Sequence, residues 1–390
     1  VKMEELGIGV NVPELKRLRD DLTKQCGEYR EEIHEIAGME FNVNSTKQLR
    51  EVLFEKLGLT PGKKTKTGFS TDAATLERLR GEHPIVEKIL SYREVEKLRS
   101  TYGEGLLSSV GAEDRIRATF KQTVARTGRL SSDAPNLHNI PVRTEAGRAF
   151  RKAFVPADGF SLLVADYNQI ELRCIAHLAE DPGLIRAFEA GEDVHTSVAA
   201  QVWNLDPSEV DYETRSRAKM VSYGLAYGME AYGLAQRLDI PREEASGILT
   251  AFFDAFPAVR EYMDRSIEEA RKKGYTETLF GRRRRIPELS SSNFNVRQAG
   301  ERQAMNSAIQ GLAADIFKVA LIGIDEHIER HSLESRLILQ VHDEVILEVP
   351  PEEEEHVLEK VPEIMKNAYD LRVDLEVNMS FGSTWADAKA

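Results

Sequence analysis

Residues 160–173 read FSLLVADYNQIELR, and this stretch decides the fold. The first six residues are apolar apart from Ser161, which favours a buried strand that ends at Asp166. The following residues, Gln169 to Arg173, include a second carboxylate at Glu171. We therefore expect a functional carboxylate, Asp166, at the end of a core strand.

A second pair of strands is predicted near the end of the chain. Residues 337–341 and 345–349 are β-type runs separated by His342, Asp343 and Glu344, which predicts a tight hairpin. A strand end and a hairpin tip can meet in space although they lie far apart in the chain. Two aspartates brought together in this way suit a pair of Mg²⁺ ions about 3.5–4 Å apart that catalyse phosphoryl transfer. Taken singly, Asp166 and Asp343 also fit the role of turn or cap residues.

A third motif lies in residues 215–228. Arg215, Lys219, Tyr223 and Tyr227 recur every four residues, so a helix would place them on one face. Cations bind phosphates and aromatic rings stack on sugars or bases, which indicates nucleotide binding. A solvated basic turn followed by two core tyrosines explains the same pattern.

The net charge of the whole chain is a poor guide to the kind of partner that the protein binds. The chain has 390 residues, with 52 Lys and Arg against 65 Asp and Glu, a net charge of −13 that would repel a polyanion. However, residues 115–152 carry a net +7 and residues 271–285 a net +6, whereas residues 351–376 carry −6. We expect the two basic segments to face a polyanionic partner.

Composition excludes several protein classes. The two cysteines, Cys26 and Cys174, cannot form a disulfide framework, which favours a reducing cytosol. No continuous apolar run approaches the ~18 residues of a membrane span. Because the chain starts at Val1 without a signal-peptide pattern, we expect it to be the middle of a longer protein.

The order of predicted elements indicates an α+β protein. Helices are predicted at residues 13–37, 47–57 and 85–102, the second after an N-cap signal at Asn44 and Ser45. Residues 61–68 are expected to form a mobile basic loop, and residues 193–288 to be helical.

The three motifs resemble motifs A, B and C of the family A (bacterial polymerase I-like) DNA polymerases, in the same order and spacing. Three further stretches agree: TGRLSS at 127–132, PNLHNIP at 135–141, and residues 302–311. The resemblance covers essentially the whole chain. It implies a right-hand polymerase of the α+β class, with a thumb at 1–114, a palm with an antiparallel sheet at 115–192 and 289–390, and helical fingers at 193–288.

The resemblance also implies the reaction, in which a primer 3′-hydroxyl attacks the α-phosphate of a deoxynucleotide opposite a template. Asp166 and Asp343 would bind two Mg²⁺ ions, for which Mn²⁺ can substitute, and Tyr167 would be a third metal residue. Glu344 would be a supporting catalytic acid. No exonuclease-like domain is expected within these residues, so no proofreading is expected either.

Nucleotide-binding residues follow from motifs A and B and from one further segment. The triphosphate would be held by Arg215, Lys219 and His195, with Lys219 also donating a proton to pyrophosphate. Tyr223 would stack near the incoming sugar and base. Glu171 would exclude a ribose 2′-hydroxyl, with Gln169 beside it.

DNA-binding residues are implied in three groups. Arg129, Gln310 and His342 would read the minor groove at the primer terminus, and Tyr227 would stack on the template base. The template and primer path and the duplex phosphates would be contacted by Asn136, Asn139, Arg302, Asn306, Asn44, Ser45, Arg93 and Lys97.

The expected partners are primer-template DNA and deoxynucleoside triphosphates. The protein is expected to be a monomer that does not bind a membrane. We expect a bacterial cytoplasmic, nucleoid-associated enzyme of DNA repair, gap filling and replication support. Two alternatives are a single-subunit RNA polymerase, which lacks a gate like Glu171, and a nucleic-acid-binding module with an inactive site.

Overall fold

The computed structural model describes residues 1–62, 64–66, 68–141, 144–191, 193–226 and 228–389. In chain order, its α-helices are α1 (Lys2–Leu6), α2 (Val12–Ala37), α3 (Thr46–Arg50), α4 (Ala73–Arg78), α5 (Pro84–Leu98), α6 (Gly105–Ser108), α7 (Glu145–Lys152), α8 (Ile170–Ala179), α9 (Pro182–Glu189), α10 (Val194–Trp203), α11 (Tyr212–Ala226), α12 (Ala231–Leu238), α13 (Arg242–Ala255), α14 (Pro257–Lys273), α15 (Phe294–Arg330) and α16 (Glu354–Lys366). Its strands are β1 (Ile8–Val10), β2 (Lys64–Thr65), β3 (Gly68–Phe69), β4 (Arg115–Ile116), β5 (Thr119–Lys121), β6 (Ser131–Asp133), β7 (Phe154–Val155), β8 (Ser161–Tyr167), β9 (Tyr275–Glu277), β10 (Arg283–Arg285), β11 (Arg336–Val341), β12 (Glu344–Val349) and β13 (Val377–Gly382). Short π-helical turns cover Glu51–Lys56 and Arg99–Glu104, and 3-10 turns cover Ala112–Asp114, Leu137–Asn139, Pro207–Glu209, Pro287–Ser290, Pro351–Glu353 and Asp387–Lys389.

A four-stranded antiparallel sheet of order β11-β12-β8-β13 forms the centre of the protein. Its strands come from three distant parts of the sequence, so the predicted α+β class with an antiparallel sheet is confirmed. The predicted hairpin is also confirmed, with one difference. Glu344 is the first residue of β12 and pairs with Val341, so the turn itself is only His342 and Asp343, and His342 has a φ of 55°.

Strand β8 is buried on both faces of the sheet, which explains its nearly continuous apolar sequence. Leu163, Ala165 and Tyr167 face a core built with α8, α15 and α16. Leu162 and Val164 face a second core that contains Trp385. Because side chains alternate along a strand, Asp166 lies on the same face of the sheet as Leu162 and Val164. The strand continues one residue past Asp166, to Tyr167.

The N-terminal helices form a third core. Helices α2 and α5 pack together, and Ile33, Leu53 and Ile89 are fully buried between the elements of this region. The predicted helices are confirmed with small changes in their ends: α2 starts after the N-cap Asn11, and α3 after the N-cap Ser45. The helix predicted at 47–57 continues α3 as a π-helical turn.

Two local predictions need correction. In the segment expected to be a mobile loop, β2 pairs with β3; Lys63 and Thr67 lie outside the described residues. The region expected to be helical, 193–288, also contains the β9–β10 hairpin, and the basic run Arg283–Arg285 is one of its strands. Here cross-strand pairing within one hairpin outweighs the helical character of the flanking sequence.

Strand β1 pairs with both β4 and β7. Residues 8–10, in the predicted thumb, therefore share a sheet with strands from the predicted palm. The division into thumb, palm and fingers stays a prediction.

One helix in the described part of the chain, α15, is long and apolar enough to span a membrane by length and composition, with a mean hydropathy of 1.5 over 18 residues. Because 67 % of that window is buried inside the protein, α15 is a core helix here. The helix is continuous, but Asp315 and Lys318 interrupt its apolar sequence, which is why the sequence shows no continuous apolar run of that length.

Candidate active site and nucleic-acid interface

The two aspartates predicted to act together lie at the same end of the central sheet. Asp166 is the sixth residue of β8, and its neighbour Tyr167 donates a backbone hydrogen bond to the Asp343 carbonyl oxygen over 3.3 Å. Glu344 lies directly opposite Asp166 in the register of β12 and β8. Antiparallel pairing therefore brings together carboxylates that are 177 residues apart in the sequence.

The electrostatics of this pair fit a cation site. Burial, together with the neighbouring charge of Asp343, raises the pKa of Asp166, while Lys389 opposes the shift. Within the described ranges, neither aspartate forms an ion pair closer than 4.0 Å, and no group of three or more His, Cys, Asp or Glu side chains is arranged to hold a metal. Mg²⁺ is usually held by one or two carboxylates plus waters and substrate phosphates, so two aspartates are a suitable donor set.

The side chains of Glu344 and Tyr167 are engaged elsewhere. Glu344 is 1 % exposed and accepts a hydrogen bond from Trp385 Nε1 over 2.6 Å, while its second oxygen pairs with Lys389 Nζ. The Tyr167 hydroxyl donates to the Met365 carbonyl oxygen over 2.6 Å on the opposite face of the sheet. The phenol of Tyr167 therefore points away from Asp166, and only its main chain is near the site.

Trp385 and Lys389 are residues that the sequence reasoning missed. They follow Glu344 by more than forty positions and belong to no recognised motif. Only the packing of the C-terminal segment against the sheet reveals them.

Helix α11 carries the predicted triphosphate-binding residues. The Arg215 guanidinium forms a two-point ion pair with Asp193, with Nε–Oδ1 and Nη2–Oδ2 distances of 3.0 and 2.7 Å. Burial alone would raise the pKa of Asp193, but the hydrogen bonds from Arg215 and Thr196 lower this pKa to about 2. Asp193 was not predicted as a site residue; it caps α10 by accepting a hydrogen bond from the Thr196 backbone N–H.

Two aromatic contacts connect α11 with α10. Lys219 Nζ lies 6.0 Å from the centroid of the Tyr223 ring, and the rings of Tyr223 and His195 are 5.7 Å apart. The predicted helical stripe is thus present for Arg215, Lys219 and Tyr223, whereas Tyr227 lies outside the described residues.

His195 is a buried and neutral imidazole. It is 2 % exposed, and neither ring nitrogen has a hydrogen-bond partner among the described residues. Burial lowers its pKa to about 4, and the charges of Lys219 and Arg215 act in the same direction. An unpartnered N–H in this position is available to a ligand that enters beside Arg215.

Glu171, the predicted sugar gate, is also buried. It is 5 % exposed and pairs with Arg129 at 2.5 Å between Oε1 and Nη2. Gln169, two residues earlier, occupies the N-cap position just before α8 with a φ of 56°, and its side chain does not cap the helix. The contact between Arg129 and Glu171 joins two predicted site residues with different predicted partners, DNA and nucleotide.

A cleft beside Asp343 contains two of the predicted minor-groove residues. Arg129 and His342 line it together with Asp343 and Gln340. The His342 ring lies 5.5 Å from the His138 ring, and His138 Nε2 is 2.9 Å from the Gln340 carbonyl oxygen.

The residues predicted to line the template and primer path lie on two elements. Arg302, Asn306 and Gln310 are four residues apart on α15 and share one face of it. Arg302 pairs with Glu230 at 3.3 Å, and the buried Asn306 Oδ1 has no hydrogen-bond partner in the described part of the chain. The side chain of Asn136 caps the turn Leu137–Asn139 by accepting a hydrogen bond from the His138 backbone N–H, and Asn139 is the last residue of that turn.

The predicted duplex contacts near the N-terminus lie on the elements around the third core, away from the aspartates. Asn44 donates to the Tyr92 hydroxyl over 3.0 Å, and Ser45 caps α3. The Arg93 guanidinium donates to the Thr71 carbonyl oxygen, whereas Lys97 is exposed on α5. Structural contacts thus already occupy Asn44 and Arg93.

Comparisons with known proteins identify relatives over the whole chain. The family model described as DNA polymerase family A matches residues 12–387. A DNA polymerase I from Geobacillus stearothermophilus is 49 % identical over 389 residues, which is 99 % of this chain and 44 % of the relative. A DNA polymerase I from Mycobacterium bovis is 49 % identical over 392 residues, covering 100 % of this chain and 43 % of the relative.

A solved structure matches the fold with a TM-score of 0.94 and 48 % sequence identity, over 100 % of this chain and 69 % of the other. That structure is described as the POL domain of Pol1 from M. smegmatis in complex with DNA primer-template and dNTP. The right-hand polymerase fold implied by the sequence resemblance is therefore confirmed. The present chain spans less than half the length of these curated relatives.

Proposed function

Because the chain belongs to DNA polymerase family A, we propose that it catalyses template-directed addition of deoxynucleotides to a primer 3′-hydroxyl. The observation that carries this proposal is the pairing of β8 with β12, which places Asp166 beside Asp343. These two carboxylates would hold two Mg²⁺ ions. When bound, such ions stabilise the attacking oxygen and the charge on the leaving pyrophosphate.

The residues on α10 and α11 would bind and orient the triphosphate. Arg215 would clamp phosphate oxygens with the guanidinium edge that Asp193 leaves open, and Lys219 would supply a point charge and a proton for pyrophosphate. The neutral His195 would donate one ring N–H to the same phosphates. Tyr223, in contact with His195, would stack beside the sugar and base.

Selection of the correct substrate would follow from groups around the aspartates. Glu171, held by Arg129, would fill the space that a ribose 2′-hydroxyl needs. Arg129, Gln310 and His342 would contact the minor-groove acceptors that correct base pairs share, which tests pair geometry without reading sequence.

The proposal extends to the organisation and setting of the protein. We assign the thumb to residues 1–114, the palm to 115–192 and 289–390, and the fingers to 193–288, with Asn44, Ser45, Arg93 and Lys97 contacting duplex phosphates. The partners would be primer-template DNA and deoxynucleoside triphosphates, and the enzyme would act as a monomer on the bacterial nucleoid in repair and gap filling.

Primer extension with the 390-residue chain tests the proposed reaction directly. Wild type should extend a primer only with Mg²⁺ or Mn²⁺ and a template, and Asp166→Asn or Asp343→Asn should reduce extension by at least about a thousandfold. Asp158→Asn, at an exposed position before β8, is the matched control and should retain wild-type activity.

Binding of primer-template DNA is measured in parallel, because Asp166→Asn should retain it. Extension without a divalent metal, or undiminished extension by Asp166→Asn, would contradict the proposal.

A further inference from the structure

The last turn of the chain packs against the predicted catalytic carboxylates. Trp385 is 0 % exposed, and its backbone N–H donates to the Phe154 carbonyl oxygen over 3.0 Å. The 3-10 turn Asp387–Lys389 follows, fixed by hydrogen bonds from the Ser383 and Thr384 hydroxyls to Asp387. The C-terminal segment 385–389 is therefore an ordered part of the core beside the sheet.

This segment engages both oxygens of Glu344. Trp385 Nε1 donates to Oε1 over 2.6 Å, and Lys389 Nζ pairs with Oε2. The Glu344 side chain is 1 % exposed, whereas that of Lys389 is 32 % exposed, so the lysine reaches inward from the edge of the protein. Each oxygen of the Glu344 carboxylate thus has a hydrogen-bond partner in this segment.

Glu344 lies on the same face of the sheet as Asp166, but with its carboxylate held as observed, no three acidic side chains of the described residues are grouped to hold a metal. Glu344 pairs with Asp166 across the sheet, and residues that are directly opposite in an antiparallel pair have side chains on the same face. Asp343 precedes it immediately. Trp385 and Lys389 are the contacts that hold the Glu344 carboxylate on this face of the sheet, where the Asp166 side chain also lies.

Lys389 acts electrostatically on all three acids. Burial lowers the pKa of Lys389, whereas the charges of Asp166 and Asp343 raise it, and Lys389 in turn lowers the pKa of Asp166. A second cation, Arg151, lies behind it with its guanidinium 4.2 Å from the centroid of the Trp385 ring. Of these two cations, Lys389 is the one that contacts a carboxylate, that of Glu344.

We propose that Lys389 is a positioning residue that, with Trp385, holds Glu344 away from the bound metal ions, so that Asp166 and Asp343 alone provide the carboxylate ligands. This inference rests on the proposed polymerase function. Nothing in motif C itself distinguishes a ligating Glu344 from a withheld one; the C-terminal contacts make that distinction.

Removing Lys389 should have two opposite consequences. The site loses one positive charge and gains an unpaired buried carboxylate, so it attracts a divalent cation more strongly. The cation is then drawn toward Glu344 and away from the position between the aspartates, so the chemical step slows. If Lys389 were needed only for folding, its removal would instead weaken both metal binding and catalysis.

The experiment measures Mn²⁺ binding by electron paramagnetic resonance and single-turnover nucleotide addition, both on the complex with primer-template DNA. In Lys389→Met the Kd for Mn²⁺ should fall, and the rate of addition should fall as well, each on the order of tenfold. Lys389→Arg keeps the charge and a donor for Glu344, and it should stay within about twofold of wild type in both measurements.

A double variant tests whether the effect passes through Glu344. Glu344→Gln combined with Lys389→Met restores the net charge, so its Kd for Mn²⁺ should return to about the wild-type value. Thermal unfolding of each variant shows whether the fold is retained.

Equal Mn²⁺ affinity in wild type and Lys389→Met would overturn the inference, and so would weaker binding together with slower addition. If the wild-type chain itself failed to extend a primer, the proposed function would fall, while the comparison of Mn²⁺ affinities would still decide whether Lys389 withholds Glu344.

Discussion

Glu171 is a buried carboxylate that pairs with the Arg129 guanidinium. It is 5 % exposed and lies 2.5 Å from Arg129. A buried charge is tolerated when it is paired and hydrogen-bonded, so the volume of Glu171 can be kept next to the substrate without an uncompensated charge. The pair therefore gives this position a fixed shape as well as a fixed charge.

Shortening Glu171 should weaken discrimination against ribonucleotides. Glu171→Ala opens the space for a 2′-hydroxyl, so the ratio of ribonucleotide to deoxynucleotide incorporation should rise by at least about tenfold, or about 1.4 kcal/mol of selectivity. Competitive incorporation assays measure this ratio. Glu171→Gln keeps the volume and should change the ratio much less; unchanged selectivity in Glu171→Ala would leave Glu171 only as the ion-pair partner of Arg129.

His195 should make the stability of the protein depend on pH. Its folded pKa is about 4, below the ordinary 6.5, so between these values the unfolded chain binds a proton that folded His195 does not. The free energy of unfolding should therefore fall as the pH drops from about 6.5 to 4, by up to about 1.4 kcal/mol per pH unit for this group.

Chemical denaturation at pH 7 and pH 5 measures this dependence. His195→Phe retains a ring beside Tyr223 but cannot bind the proton, so its loss of stability between the two pH values should be smaller than that of wild type. The exposed His331→Gln is the control and should follow wild type. An identical pH dependence in His195→Phe and wild type would contradict the assignment.

At the scale of elements, the β9–β10 hairpin is attached to α15 by a buried carboxylate. Asp315, 5 % exposed, accepts hydrogen bonds from Arg282 Nε and Nη2 over 2.8 and 2.6 Å and from the Thr278 hydroxyl over 2.7 Å. The neighbouring Arg283 pairs with Glu277 at 3.2 Å on the exposed side of the hairpin. The basic run of this segment is thus partly neutralised by the protein itself.

Removing Asp315 should destabilise the protein far more than breaking the exposed ion pair between Arg283 and Glu277. Asp315→Ala leaves Arg282 and Thr278 without their shared partner, which should lower the free energy of unfolding by about 3 kcal/mol. Arg283→Ala breaks only an exposed pair and should cost less than about 1 kcal/mol. Urea denaturation compares the two; equal losses would show that Asp315 does not attach the hairpin to α15.

At the scale of the whole molecule, the net charge of −13 does not describe the surface that would meet DNA. Acidic residues concentrate around 351–376, on and after α16, while residues 115–152 carry a net +7. Contacts between cations and phosphates release counterions, so binding by an acidic protein can still depend steeply on salt.

DNA affinity should therefore fall linearly with salt on a logarithmic plot, and individual lysines should contribute to the slope. Lys97→Ala should reduce the slope by about 0.9, the value for one lost phosphate contact. Lys24→Ala removes an exposed lysine that lies 3.8 Å from Glu28 on α2 and should leave the slope unchanged. Fluorescence anisotropy at several salt concentrations measures both; equal slopes for Lys97→Ala and wild type would remove Lys97 from the interface.

The sequence by itself determined where the core strand, the hairpin and the motif-bearing helix lie, and it placed Asp166 and Asp343 at their ends. It could do so because apolar periodicity and turn residues are local signals, and because the motif spacing matches a family whose fold the comparison confirms. Those signals also predicted Arg215, Lys219 and Tyr223 on one helix.

Only the tertiary structure decided which groups these residues meet. The pairing of Arg215 with Asp193, of Arg129 with Glu171, and of Glu344 with Trp385 and Lys389 joins segments that are 22 to 45 residues apart. Such contacts leave no periodic trace in the sequence, because they depend on which faces the strands and helices present when their apolar sides pack together. Packing therefore determined the partner of each charge at the site, whereas the local pattern had determined only its position along the chain.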